Sequence, residues 1–254
     1  MKILVIGDAC QDQYIYGSCE RLCPAAPVPV FVPRETINNR GMAGNVYENL
    51  RTLGISCDLV CNTEMVTKAR YVDFKTNQML LRVDNTSQSP ARISNLDTIN
   101  FSNYEAIVIS DYDKGFLSQE DIVKICSQHS LVIMDTKKLI SDWASSCQFI
   151  KINDYEYEKS KHLLDNKKEW VTNSLIVTKG SDGCEHLGVN YPVEEVEIRD
   201  LCGAGDTLLA GFIAEYIHTR SVAHSIVFAN QCATEVVQKK GVSLPQKFKG
   251  KFKK

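Results

Sequence analysis

Five short apolar runs set the limits on how this chain folds: KILVIGD (2–8), EAIVISD (105–111), SLVIMDT (130–136), QFIKIN (148–153) and SLIVTKG (174–180). Each is continuous rather than alternating, and each ends in a polar residue or Lys-Gly. A strand with one wet face alternates, whereas a strand covered on both faces does not. Segments compatible with helix lie between and after the runs, at 43–53, 118–128, 154–165, 206–218 and 221–238. The stretch LSQEDIVKICSQ has Ser118 followed by Asp121 three positions on, the spacing of a capping box with Asp in place of Glu or Gln. Alternation of this kind predicts an α/β fold, a mostly parallel sheet with helices on both faces. In such sheets ligands bind at the edge formed by the carboxyl ends of the strands. Asp8, Asp111, Asp135, Asn153 and Lys179 are expected along that rim.

The segment from about 10 to 40 has a different character. PAAPVPVFV carries three prolines around a short β-rich run, which suits edge strands and turns. Together with ISCDLVCN (55–62) and the strands of 69–84, it is expected to form a small accessory sheet, a β lid over a site. No repeat or linker divides the 254 residues, so 1–254 is read as one domain. The net charge of −2 gives no electrostatic footprint of a nucleic-acid binder. The lysine-rich stretch 246–254 is read as a solvated, mobile tail. The first apolar run is too short for a signal peptide or a membrane span. The ten cysteines have no metal-ligand spacing, so they are read as reduced thiols in a cytoplasmic protein without structural zinc or membrane contact. The five histidines fall in no ligand or triad pattern.

The stretch DLCGAGDTLLAGF (200–212) sets Gly203, Ala204 and Gly205 directly before an apolar helical run, with Asp206 in its first turn. A helix N-terminus has unpaired N–H groups and a positive dipole end, and small residues let an anion come close. Asp206 is either a base beside that cradle or an acidic residue that simply favours the dipole.

The same stretch resembles the C-terminal signature of the PfkB/ribokinase carbohydrate kinases. GDACQDQYIYG and RGMAGNVYENLRTLG are similar to that family's N-terminal stretches. ERLCPAAPVPV, VTKARY, NQMLLRVD, ISDYDKG and IKINDYEYE are similar, in order, to its heptose-7-phosphate kinase branch, and the resemblance runs from about residue 3 to 245. It implies the ribokinase-like three-layer sandwich, and ATP with Mg²⁺ used to make a heptose 1,7-bisphosphate on the way to a nucleotide-activated heptose; a kinase for another sugar or sugar phosphate, and a non-catalytic sugar- or nucleotide-binding relative, are the alternatives. The nucleotidyltransferase domain that some heptose kinases carry downstream has no counterpart in the match.

The resemblance implies roles position by position. Asp206 would be the catalytic base, with Gly203, Ala204 and Gly205 cradling the transferring phosphate. Asp12 and Asn45 would bind sugar hydroxyls, with Gly41 allowing close approach. Asn153 and Glu156 would organise Mg²⁺ and phosphate through water. Lys179, Gly180, Gly183 and Asn230 would flank the nucleotide. The loop around Gly241 resembles one that often binds a monovalent cation such as K⁺. Lys68, Arg70 and Arg82 are either a clamp for the sugar phosphate or solvated charges. Asp111 and Lys114 either touch substrate or belong to a turn, and Lys137, in a stretch that resembles the family's D-P-K, would be a further phosphate contact. The partners implied are a sugar phosphate and ATP, with a homodimer through the lid strands, as in relatives.

Three departures from the family pattern stand out. Cys202 replaces the usual Thr, Met42 stands where a second glycine is usual, and only NTEM joins DLVC to VTKARY, where relatives carry a longer excursion.

Overall fold

The computed structural model describes residues 2–64, 66–85, 89–165 and 168–253; Met65 of the NTEM stretch and Lys254 of the tail lie outside them. The chain runs β1 (Lys2–Gly7), β2 (Ala9–Leu22), β3 (Pro29–Met42), α1 (Ala43–Leu53), β4 (Ser56–Cys61), β5 (Thr67–Asp73), β6 (Met79–Asn85) and β7 (Ala106–Asp111). It continues with α2 (Gln119–Gln128), β8 (Val132–Thr136), β9 (Phe149–Asn153), α3 (Asp154–Ser160), α4 (Glu169–Ser174) and β10 (Leu175–Thr178). The last elements are β11 (Cys184–His186), β12 (Val189–Tyr191), α5 (Ala204–Thr219) and α6 (Val222–Val237).

All five continuous apolar runs are strands of one eight-stranded sheet, ordered β12-β11-β10-β9-β8-β7-β1-β4. Its pairings are parallel from β4 to β10, and the two antiparallel pairings are those of β11 with β10 and with β12. The runs are continuous because successive residues serve opposite cores. Ile3, Val5, Val108 and Ile133 pack with α1, α5 and α6 on one face, while Leu4, Ile6, Ile109 and Met134 pack with α2 and α4 on the other. The predicted capping box forms, with Ser118 Oγ accepting from the Asp121 N–H and Asp121 Oδ2 accepting from the Ser118 N–H. The expected helix at 154–165 is shorter, ending as α-helix at Ser160.

A second sheet of four strands, β3-β2-β5-β6, stands over the carboxyl edge of the first. Its proline-bearing strand β3 lies at an edge, where a missing N–H costs least. The stretch 55–62 does not join it. As β4 that stretch pairs in parallel with β1, because Cys57 and Leu59 face one core and Val60 the other.

The C-terminal tail is docked rather than free. Backbone N–H groups of Gly250 and Phe252 donate to the carbonyls of Thr52 and Leu53. Phe248 and Phe252 pack edge-on against Phe228, with His218 stacked on Phe252. Reading the lysines alone hid these two aromatic anchors between them.

Candidate active site

α5 begins at a left-handed Gly203 (φ 82°), and no side chain caps it. A Cβ on Gly203 would lie 2.7 Å from Asn45 Nδ2, so glycine is required for both conformation and space. The N–H groups of the first turn have no partner within the helix and present a positive end. A Cβ on Gly205 would meet Lys151 Nζ at 2.9 Å. Strand parity explains this lysine. Lys151 shares a face with Phe149, toward α5, as Asp135 does with Ile133, and the two form a buried pair at 2.7 Å. Burial opposes the charge on Lys151, but Asp135 outweighs it and the amine's pKa is raised. An ammonium therefore lies directly beneath the glycine turn.

Asp206 is 4% exposed. Its Oδ2 accepts from Asn45 Nδ2 at 3.0 Å and its Oδ1 from the Tyr112 hydroxyl at 2.8 Å. Burial pushes its pKa up to about 6, against the lowering effect of those two hydrogen bonds. A carboxylate tuned toward neutrality, with lone pairs left over, suits proton abstraction.

Two cavities meet at this turn. The first, about 540 Å³, lies between the second sheet and the rim and contains Gly203 and Asp206 in its wall. Asp12, Lys68, Arg70, Arg82 and Lys114 also line it, together with Tyr112, Lys137 and Met42. Arg70 Nη1 donates to Asp12 Oδ1 at 2.5 Å, both side chains being buried. Gly41 serves this pair, since a Cβ there would sit 2.2 Å from Asp12 Oδ2. Arg82 holds Asp84 through two bonds of 2.7 and 2.8 Å. Among the described residues no carboxylate pairs with the side chains of Lys68 or Lys114, which leaves them available to an anion. Met42 has the left-handed φ of 58° that a second glycine would adopt freely, and its buried side chain packs on Cys10 and Val66.

The second cavity, about 560 Å³, lies on the other side of the turn and has Ala204 and Gly205 in its wall. Gly180, Gly183 and Asn230 line it, together with apolar Val196, Ile198 and Leu201. Gly183 is left-handed (φ 86°), and a Cβ on it would strike the Tyr191 carbonyl at 2.0 Å. Asn230 also donates to that carbonyl at 2.9 Å.

Several expected residues sit elsewhere. Asp111 shares the face of Ile107 and Ile109, away from α5, and is held by Lys138 Nζ at 2.8 Å and by the Thr136 hydroxyl. It does not line either cavity. Lys179 falls on the face of Val177, pairs with Glu185 and lines a different cleft, whereas its neighbour Thr178 faces the second cavity. Asn153 and Glu156 cap α3 reciprocally. Neither lines either of the two cavities, but Glu156 holds Lys137, which lines the first. The Gly241 N–H donates to Asp200 Oδ2 at 3.1 Å, and Asp200 Oδ1 accepts from the Cys202 N–H at 2.9 Å, tying that loop to the glycine turn. Among the described residues no group of three or more His, Cys, Asp or Glu side chains could hold a metal ion. No helix among them is long and apolar enough to cross a membrane.

The pattern that describes the pfkB family of carbohydrate kinases matches residues 48–248, most of the chain. The chain belongs to this family. As a pfkB-family carbohydrate kinase it is an enzyme, and membership implies ATP as phosphoryl donor, usually with Mg²⁺. The bifunctional protein HldE of Helicobacter pylori (strain J99 / ATCC 700824) is 30% identical to it over 296 aligned positions, covering 96% of this chain. The corresponding protein of Helicobacter acinonychis (strain Sheeba) is 28% identical over the same span. The chain spans about 64% of the length of these relatives. The alignment needs more positions than the chain's 254, so the relatives carry segments that this kinase lacks, in keeping with its short connection after residue 62. Among solved structures, a nucleoside kinase of Methanocaldococcus jannaschii superimposes with a TM-score of 0.70 at 18% identity, covering 97% of this chain and 96% of its own. Ribokinase of Thermotoga maritima gives 0.69 at 16%, covering 97% and 95%. The fold is therefore ribokinase-like.

Proposed function

We propose that this kinase phosphorylates heptose 7-phosphate at its anomeric hydroxyl, giving the 1,7-bisphosphate for synthesis of a nucleotide-activated heptose. The observation that carries the reading is the meeting of two cavities at residues 203–206, with Lys68, which has no carboxylate partner among the described residues, in the wall of the first. A sugar with its reacting hydroxyl at Asp206 and its own phosphate at Lys68, Arg82 and Lys114 suits that cavity. The second cavity, lined by apolar residues and by glycines, suits a nucleoside triphosphate with its phosphates toward Gly205.

In this reading Asp206 accepts the proton of the acceptor hydroxyl as that oxygen forms its bond to the γ-phosphorus. The bond from phosphorus to the departing nucleoside diphosphate breaks, and the pair of electrons leaves with the diphosphate oxygen. The N–H groups at Gly205 and Asp206, with Lys151 beneath them, stabilise the charge of the transferring group. Asp12 orients the sugar, whereas Asn45 is buried outside the cavity wall and acts through its hydrogen bond to Asp206. Mg²⁺ fits near the turn where the two cavities meet, because Asp135 keeps one buried carboxylate oxygen without a hydrogen-bond partner, 3.7 Å from Lys137 Nζ. It would neutralise phosphate charge, with Asp135 and Glu156 as the carboxylates that hold its waters. K⁺ at the Gly241 loop, a cytoplasmic location and a homodimer through the second sheet belong to the same reading. Potassium dependence of turnover and the mass of the protein in solution test the first and last of these.

The test is ADP release with Mg·ATP on heptose 7-phosphate, fructose 6-phosphate, ribose and fructose. Turnover confined to the heptose phosphate is expected. Turnover on another sugar keeps the kinase and discards this substrate. ATP binding without turnover on any of them favours a non-catalytic relative or a substrate outside this panel.

A further inference from the structure

We infer that Tyr112 is a positioning residue for phosphoryl transfer: its phenol fixes the Asp206 carboxylate in its charged form and aims it at the acceptor cavity. The inference rests on Asp206 acting as the base.

The hydroxyl of Tyr112 donates to Asp206 Oδ1 at 2.8 Å while the Asn45 amide holds Oδ2, so each oxygen has one fixed donor and one direction left for a substrate hydroxyl. The backbone of Tyr112 is itself pinned. Its N–H donates to the buried carboxylate of Asp8 at 2.7 Å, which also accepts from the N–H groups of Lys114 and Phe116. The ring packs on the small cluster of Cys10, Met42 and Val66, a role that phenylalanine would fill equally well. The hydroxyl is what phenylalanine lacks, and it points to the base. Lys68 and Lys137 each lie over the ring, 5.3 and 5.4 Å from its centroid, so the same side chain touches the cations of the acceptor cavity.

The phenol remains a donor at working pH, because burial, then Asp206 and Asp135, push its own pKa well up. The other ionisable groups that face Asp206 are Asp135 on β8, Lys151 on β9 and Cys10 on β2. Asp135 and Lys151 neutralise each other, and burial keeps the Cys10 thiol protonated up to about 12. Tyr112 and Asn45 are thus the two neutral donors that offset the burial of the carboxylate, and Tyr112 is the one in contact with the acceptor cavity.

The experiment is an infrared titration of the carboxyl band in the free protein, assigned to Asp206 by its loss in Asp206→Asn. In Tyr112→Phe the midpoint should rise by about one pH unit, the size expected when a hydrogen bond to a charged group is removed. With 3-fluorotyrosine at position 112, a stronger donor, it should fall. The acid limb of kcat/KM, measured with whichever sugar turns over, should move in the same two directions. Midpoints unchanged in both variants overturn the inference even if Asp206→Asn is inactive. Full turnover by Asp206→Asn overturns instead the assignment of the base. Should Tyr112→Phe fail to fold, the fluorotyrosine protein decides alone.

Discussion

The side-chain amide of Asn45 donates to Asp206 Oδ2 at 3.0 Å, joining the first turn of α1 to the first turn of α5 across 161 positions of sequence. Gly203 leaves the space through which the amide passes. Two helix N-termini, each a source of positive potential, are thereby brought to one carboxylate. The signature glycine in front of Asp206 thus serves the carboxylate as well as the turn itself. Asn49 supports the arrangement from one turn further along α1, donating to the Asn45 carbonyl at 2.8 Å.

Burial holds the pKa of Asp206 at about 6 in the folded protein, above its unfolded value near 3.8. For a carboxylate raised on folding, the unfolded state releases its proton first, so stability is lost as pH rises from about 4 to 6. Asp206→Asn removes that loss and should stabilise the fold at pH 8 by roughly 2–3 kcal/mol, the gain vanishing as pH falls toward 4. It should also lower kcat on the order of a thousandfold while leaving ATP affinity nearly intact. Thermal melts at pH 4 and 8, an ADP-release assay and a nucleotide titration measure the three in turn. An Asn variant that is both less stable at pH 8 and still active would refute the assignment.

Arg70 and Asp12 form a pair on neighbouring strands of the second sheet, both buried, and each is the other's compensation. Removing one partner leaves an uncompensated buried charge, so Asp12→Ala or Arg70→Ala alone should cost about 3–5 kcal/mol. The double variant Asp12→Leu/Arg70→Met should regain most of that stability but not the affinity for sugar. Urea unfolding of the three proteins, with the KM of the double variant, separates the structural share of the pair from the binding share.

Lys68 lines the acceptor cavity with no carboxylate partner among the described residues, while Arg70 and Arg82 already hold Asp12 and Asp84. Its charge is therefore the one most free to meet a substrate phosphate. Lys68→Met should raise KM for a sugar phosphate by about 10- to 100-fold, as expected for losing a charge-assisted hydrogen bond of about 1.5–3 kcal/mol. Stability should change little. A parallel loss on an unphosphorylated sugar would assign Lys68 to the sugar ring instead.

The parallel sheet was legible because continuous apolar runs admit few other arrangements, and the glycine turn because its chemistry is local. What the sequence reading missed follows from strand parity. Val108 and Ser110 alternate with Ile109 and Asp111, so a rim residue's usefulness depends on which face its strand gives it. The same count turns Lys179 away from the second cavity and Thr178 into it, and brings Lys151 beneath the turn. Counting from the buried partners of each run would have shown all three. The link from Tyr112 to Asp206 had no such signal, because it depends on how a turn after β7 folds over Asp8. β4 was misassigned because CDLVC fits an edge strand of either sheet, and only its helix connection from α1 returns it beside β1.

The tail gives the last prediction. Phe248 and Phe252 pack on the core beside α6, and Lys251 both pairs with Glu215 at 2.7 Å and lies 3.6 Å from the centre of the Phe228 ring. Gly54, which ends α1 in a left-handed conformation, has its open side covered by the tail, since a Cβ there would meet the Lys253 nitrogen at 2.7 Å. The tail therefore closes the end of the helix that carries Asn45 toward the base. Phe252→Ala should cost about 1–2 kcal/mol, the share of a half-buried ring, and lower Tm by a few degrees. Replacing Lys247, Lys249 and Lys253 by Gln should leave Tm unchanged, because these lysines have no ion-pair partner among the described residues. Melting curves of the two variants decide between a docked anchor and a solvated tail: equal curves would return the segment to solvent, and a loss confined to the aromatic variant places its stability in ring packing rather than in charge.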